Sequence, residues 1–85
     1  MTETYELFTY ESCGFCAMVR AFLAQAGLDI PVRDILKDVQ ARRELLEGGG
    51  RTTVPCLRIE KGGEVRWMYE SMDIIAYINE KTNSQ

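Results

Sequence analysis

Apolar and polar positions along the chain alternate between a strand period and a helix period. Tyr5 to Thr9 (Tyr-Glu-Leu-Phe-Thr) is short, aromatic and β-prone, and it stops at the polar Tyr10-Glu11-Ser12, which predicts a strand and then a turn. From Cys13 to Gln25 apolar residues recur at Cys16, Val19, Leu23 and on to Ala26, with Phe22 widening the stripe and Gly27 placed as a C′ glycine, so a helix is expected. Ile30 to Ile35 alternates again as a second strand with Pro31 near its start. Asp38 is a suitable cap for a helix over Val39 to Glu47, ended by Gly48-Gly49-Gly50. Thr53 to Ile59, the turn Lys61-Gly62-Gly63 and Glu64 to Met68 read as a hairpin. Ser71 is placed to cap a last helix with Asp73 in its first turn, the stripe Ile74, Ile75 and Ile78, and an end near Lys81; Thr82 to Gln85 are expected to fray. The order β-α-β-α-β-β-α predicts an α/β fold: a parallel pair with a right-handed crossover, antiparallel strands from the hairpin, and a mixed four-stranded sheet flanked by three helices.

The chain has 85 residues, 46% of them apolar and 27% charged. At that size only ~60% of the unfolded surface is hidden, room for one core, so residues 1–85 are expected to form a single domain. No run approaches the ~20 apolar residues of a membrane helix. The amino terminus, Met1 to Glu6, carries acid where a targeting signal carries base, which makes the cytoplasm the expected location. Ten Lys and Arg are scattered among thirteen Asp and Glu for a net charge of -3, so neither nucleic acid nor membrane is an expected partner. Histidine is absent, which excludes a Ser-His-Asp or Cys-His hydrolytic site and any His-bearing zinc site.

Acid/base and nucleophilic chemistry therefore falls to cysteine or to a perturbed carboxylate. Cys13-Gly14-Phe15-Cys16 has the spacing of a redox pair or of half a metal site, and the other half is missing. Cys13 follows a strand and opens a helix, where free N–H groups and the macrodipole favour thiolate, the attacking species. Cys16, one turn later and facing inward, is the expected resolving thiol. Gly14 keeps the mouth of the site open, and Phe15 offers an exposed apolar contact. Thr53-Val54-Pro55 is the second signal: a cis Pro55 would expose the Val54 backbone to an extended thiol peptide. At Glu70-Ser71 the hydroxyl and first-turn amides suit a carboxylate and the acid suits an ammonium, together matching the α-amino acid end of a γ-glutamyl group.

These pieces resemble the glutaredoxin branch of the thioredoxin fold over nearly the whole chain, through Cys13-Gly14-Phe15-Cys16, Arg51-Thr52-Thr53-Val54-Pro55, the glycine turn and the terminal helix. Tyr69-Glu70-Ser71-Met72-Asp73-Ile74-Ile75 is also similar to the glutathione site in the N-terminal domain of glutathione transferases. The resemblance implies a thioredoxin-like fold, catalysis by Cys13 and Cys16, glutathione as co-substrate, and reduction of glutathione mixed disulfides and protein disulfides. It places Phe15, Thr53, Val54, Pro55, Glu70 and Ser71 at the glutathione site. Members commonly carry a Lys shortly before the first active-site Cys; here Tyr10 holds that position, and Arg51 is the candidate for the missing charge. A monomer is expected.

The Gly-Phe pair also resembles the monothiol class, which carries iron–sulfur clusters. The alternative is a homodimer in which each chain gives Cys13 to a [2Fe–2S] cluster beside two glutathiones; Cys16 counts against it by offering a competing disulfide. A thioredoxin-like reductant recharged by a flavoprotein reductase is a further alternative, disfavoured by the absence of Trp-Cys-Gly-Pro-Cys. Elsewhere, strand alternation makes Cys56 a buried small hydrophobe. Gly48-Gly49-Gly50 lacks the Gly-Lys-Ser/Thr of a phosphate loop and lets the chain reach Pro55. Trp67, Tyr69 and Tyr77 read as core and edge aromatics, and Arg42, Arg43, Glu44 and Glu47 as a solvated helix face.

Overall fold

A computed structural model of the chain describes residues 2–83. The elements are β1 (Thr4–Thr9), α1 (Gly14–Gln25), β2 (Val32–Asp34), α2 (Val39–Gly49), β3 (Cys56–Lys61), β4 (Glu64–Met68) and α3 (Ser71–Asn83), in the expected order. One sheet holds all four strands as β2-β1-β3-β4; β1 is parallel to β2 and antiparallel to β3, and β4 is antiparallel to β3.

Successive strand residues face opposite sides, and this sorts the core into two. Leu7, opposite Leu57 of β3, packs with Val19 and Leu23 of α1 and with Ile74 and Ile78 of α3. Its neighbour Phe8, opposite Cys56, packs on the other face with Ile35, Ala41 and Leu45. Helices α1 and α3 thus cover one side of the sheet and α2 the other. The parallel pairing of β1 with β2 brings the connections that follow both strands to one pole, where the cysteines lie. Among the described residues no helix is long and apolar enough to cross a membrane.

Several boundaries differ from the expectation, each for a local reason. Helix α2 continues through Gly48 and Gly49 and stops at Gly50, which takes the left-handed conformation with φ +92°. The two glycines are kept because the helix backbone lies against aromatic rings: a Cβ at Gly48 would stand 2.6 Å from Trp67 Cε2, and one at Gly49 would overlap the Tyr69 hydroxyl. Strand β3 begins only at Cys56, whose register partner is Phe8, so Thr53 to Pro55 form a connection outside the ladder. Strand β2 is confined to Val32–Asp34. The Ile74 N–H donates to the Glu70 carbonyl at 2.9 Å, which makes Glu70 the cap of α3 and Ser71 its first helical residue, so the helix starts one position earlier than expected. Thr82 and Asn83 remain helical, while Ser84 and Gln85 lie outside the described residues. Ala26 is the exposed C-cap of α1 instead of a member of its buried stripe, and Gly27 follows it at φ +70° as expected. Glu44 leaves the solvated face of α2 to accept from Arg33 at 2.7 Å.

Candidate active site

The chain leaves the end of β1 through a short turn in which the Cys13 N–H donates to the Tyr10 carbonyl at 3.2 Å. Cys13 then takes the N-cap position of α1 with extended backbone, φ -84° and ψ 113°. Its Sγ accepts the Cys16 N–H at 3.1 Å, the bond that a capping serine or aspartate would make through oxygen. The Cys13 thiol also donates to the Val54 carbonyl at 3.9 Å, across from the loop that precedes β3.

The three cysteines are free thiols in distinct surroundings. Cys13 keeps 8% of its surface, whereas Cys16 and Cys56 keep none. Burial, reinforced by the hydrogen bond with Cys13, pushes the Cys16 thiol up to about 12. Burial likewise pushes Cys56 up to about 12, partly offset by the neighbouring Tyr69 hydroxyl. Cys56 sits in the Phe8 cluster, as strand alternation indicates. At neutral pH Cys16 and Cys56 are therefore protonated, leaving Cys13 as the sulfur available for attack.

Next to Cys13 lies a groove of about 230 Å³. Thr53, Val54 and Pro55 form one wall, Glu70 and Ser71 the other, with Phe15 and Tyr69 completing the lining. The Val54–Pro55 peptide is cis. Phe15 is 67% exposed, an apolar shoulder beside the nucleophile. On the α3 side, Glu70 supplies a carboxylate, and the first-turn N–H groups of α3 have no acceptor within the helix. The groove thus offers hydrogen-bond donors, an acid and apolar contacts.

Six residues named from the sequence converge on this groove: Phe15, Thr53, Val54, Pro55, Glu70 and Ser71. Two others stand back from it. Tyr10 packs half-buried against the Phe8 cluster and contributes its carbonyl to the turn. Arg51 holds its guanidinium 4.3 Å above the Tyr69 ring. Tyr69, read from the sequence as a core or edge aromatic, lines the groove, and its hydroxyl donates to the Arg51 carbonyl at 3.0 Å. Its position immediately before Glu70-Ser71 was the available signal. A second cavity, of about 270 Å³, is lined by Glu3, Ile59, Lys61, Glu64, Arg66, Tyr77 and Lys81 and holds no sulfur. Among the described residues no group of three or more His, Cys, Asp or Glu side chains could hold a metal ion.

A family profile described as Glutaredoxin matches residues 5–65. Over 55 residues the chain is 33% identical to glutaredoxin 3 of Escherichia coli strain K12, a match covering 65% of this chain and 66% of the relative, just under two thirds of its length. Among solved structures it is similar to the solution structure of glutaredoxin from Brucella melitensis, with 26% identity, a TM-score of 0.61, and coverage of 95% of this chain and 85% of that one. It is also similar to maleylacetoacetate isomerase from Anaeromyxobacter dehalogenans with glutathione bound in its active site, with 26% identity, a TM-score of 0.71, and coverage of 94% of this chain and 38% of that one.

Proposed function

The chain belongs to the glutaredoxin family, and from that premise we propose that it is a glutathione-dependent thiol–disulfide oxidoreductase acting on glutathione mixed disulfides and protein disulfides. The observation that carries the reading is the junction of Cys13 with the groove: the most accessible of the three thiols meets the Val54 carbonyl on a wall of the cleft. Glutathione is a tripeptide with a free carboxylate at each end and one ammonium. The α3 amides and Glu70 suit its γ-glutamyl end, and the Val54 backbone suits its cysteinyl peptide.

In the first step Cys13, as thiolate, attacks the glutathionyl sulfur of a mixed disulfide. A new S–S bond joins Cys13 to glutathione, the old one breaks, and the electron pair leaves on the released protein thiolate, which takes a proton. The two hydrogen bonds at Cys13 respond differently to ionisation. The thiolate cannot donate to the Val54 carbonyl, which is freed to accept from the ligand's backbone, whereas the bond from the Cys16 N–H is strengthened by the charge. A second glutathione thiolate then attacks the glutathione sulfur bound to Cys13, forming glutathione disulfide and restoring the thiolate. For a protein disulfide, Cys16 resolves the mixed disulfide from within and leaves a Cys13–Cys16 bond for glutathione to reduce. The cytoplasm, where glutathione is kept reduced, is the proposed location, and a monomer is the proposed working form.

The test supplies the protein with glutathione and its reductase in one arm and with thioredoxin reductase in the other. Turnover of a glutathionylated peptide in the first arm alone is the expected result. Recharging by thioredoxin reductase alone would assign the chain to a thioredoxin-like role instead. Cys13→Ser is expected to abolish turnover.

A further inference from the structure

Three elements meet at Tyr69. Its hydroxyl donates to the Arg51 carbonyl at 3.0 Å and its ring carries the Arg51 guanidinium at 4.3 Å, so both ends of one side chain tie down the residue that starts the 51–55 connection. The backbone of Gly49 in α2 lies against the same hydroxyl so closely that a Cβ there would overlap it. Tyr69 itself precedes the Glu70 cap of α3 and lines the groove between Glu70-Ser71 and Thr53-Val54-Pro55. The two walls belong to separate segments of chain, and this side chain bridges them.

We infer that Tyr69 is a positioning residue that sets the spacing between the walls of the groove, and thereby the selectivity of the site for a glutathionyl over a smaller thiol cap. This rests on the glutathione reading above. A ligand that touches both walls gains from the fixed spacing because the walls need no ordering when it binds. A cap too short to span them gains nothing. The Cys13 sulfur is held by the Cys16 N–H and the Val54 carbonyl and not by the Tyr69 hydroxyl, which is engaged with the Arg51 carbonyl, so the chemical step at sulfur is expected to be indifferent to Tyr69.

The experiment compares one cysteine peptide capped either by glutathione or by cysteamine, which lacks both the γ-glutamyl and the glycyl parts. Reduced protein in excess, without free glutathione, is followed through release of the peptide thiol to give a half-saturating concentration and a limiting rate. For the glutathionylated peptide, Tyr69→Ala is expected to raise the half-saturating concentration about tenfold and Tyr69→Phe, which loses only the hydroxyl bond, about threefold. The limiting rate should stay within about twofold of wild type for both, since the nucleophile is untouched, and the cysteamine-capped peptide should show no change. Tyr69→Phe preserves the ring packing and keeps the test decisive should Tyr69→Ala unfold. An unchanged half-saturating concentration in Tyr69→Phe, or an equal rise for both caps, overturns the inference while the wild-type preference for glutathione still upholds the functional reading. A wild-type protein that does not distinguish the caps overturns both.

Discussion

Gly48→Ala sets helix propensity against packing at one position. Alanine is favoured over glycine in a helix interior by about 1 kcal/mol, and Gly48 lies inside α2 without a positive φ, so propensity alone predicts a gain. The added methyl, however, would stand 2.6 Å from Trp67 Cε2 and 3.0 Å from Nε1. The indole is a rigid plane with little room to retreat: it rests against the fully buried Phe8 ring at 5.6 Å and lies under the Arg58 guanidinium at 5.8 Å. Overpacking of this kind costs about 1–3 kcal/mol, so the net effect is a loss of about 1 kcal/mol, and a domain of this size should melt about 4–8 °C lower. Thermal unfolding by circular dichroism measures the shift, and the emission of Trp67, the single tryptophan, reports the displaced ring. Gly14→Ala is the matched control, because a Cβ there meets nothing within 4 Å; its stability should stay within about 0.5 kcal/mol of wild type. A Gly48→Ala protein that melts at or above the wild-type temperature with unchanged emission would refute the reasoning.

Cys16→Ser should retain exchange on glutathionylated peptides while losing reduction of protein disulfides, which needs the internal thiol; loss of both in single-turnover assays would make the dithiol route obligatory. Iodoacetamide at pH 8 should label native protein once, at Cys13, because Cys16 and Cys56 are buried and their thiols are pushed up to about 12. Denatured protein should take three labels, and rapid native labelling of Cys56 seen by mass spectrometry would contradict its placement. Glu3 accepts hydrogen bonds from the Tyr5 and Tyr77 hydroxyls, and the Tyr5 bond, foremost among the causes, holds its carboxyl below the ordinary value of 4.5. A carboxyl lowered by folding adds stability above its unfolded value and loses it as pH falls through the folded one. The stability difference between wild type and Glu3→Gln in urea titrations should therefore be constant from pH 7 to about pH 5 and shrink below it; a difference independent of pH would show that the carboxylate charge contributes nothing.

What could be read from the chain, and what could not, follows from the range of the forces involved. Alternation through Leu7 and Phe8 and the stripe of Val19, Leu23, Ile74 and Ile78 mark faces by local spacing, and those faces are the two halves of the core. Cys13, Val54, Pro55, Glu70 and Ser71 each carry a local signature, of a thiol cap, a turn proline or a helix start, and they meet in one place once the parallel β1–β2 pair and the hairpin are formed. Boundaries set by tertiary contact left no such mark. Three consecutive glycines read as a stop because glycine disfavours helix, yet Gly48 and Gly49 remain helical where the rings of Trp67 and Tyr69, distant in sequence but on the same face of the sheet, leave no space for a side chain. Tyr69 carried only a partial mark, its place immediately before Glu70-Ser71. An aromatic residue at the end of a strand is equally suited to core or cleft by its own chemistry, and only the approach of Gly49 from one side and Arg51 from another turns it into a brace between the walls of a groove.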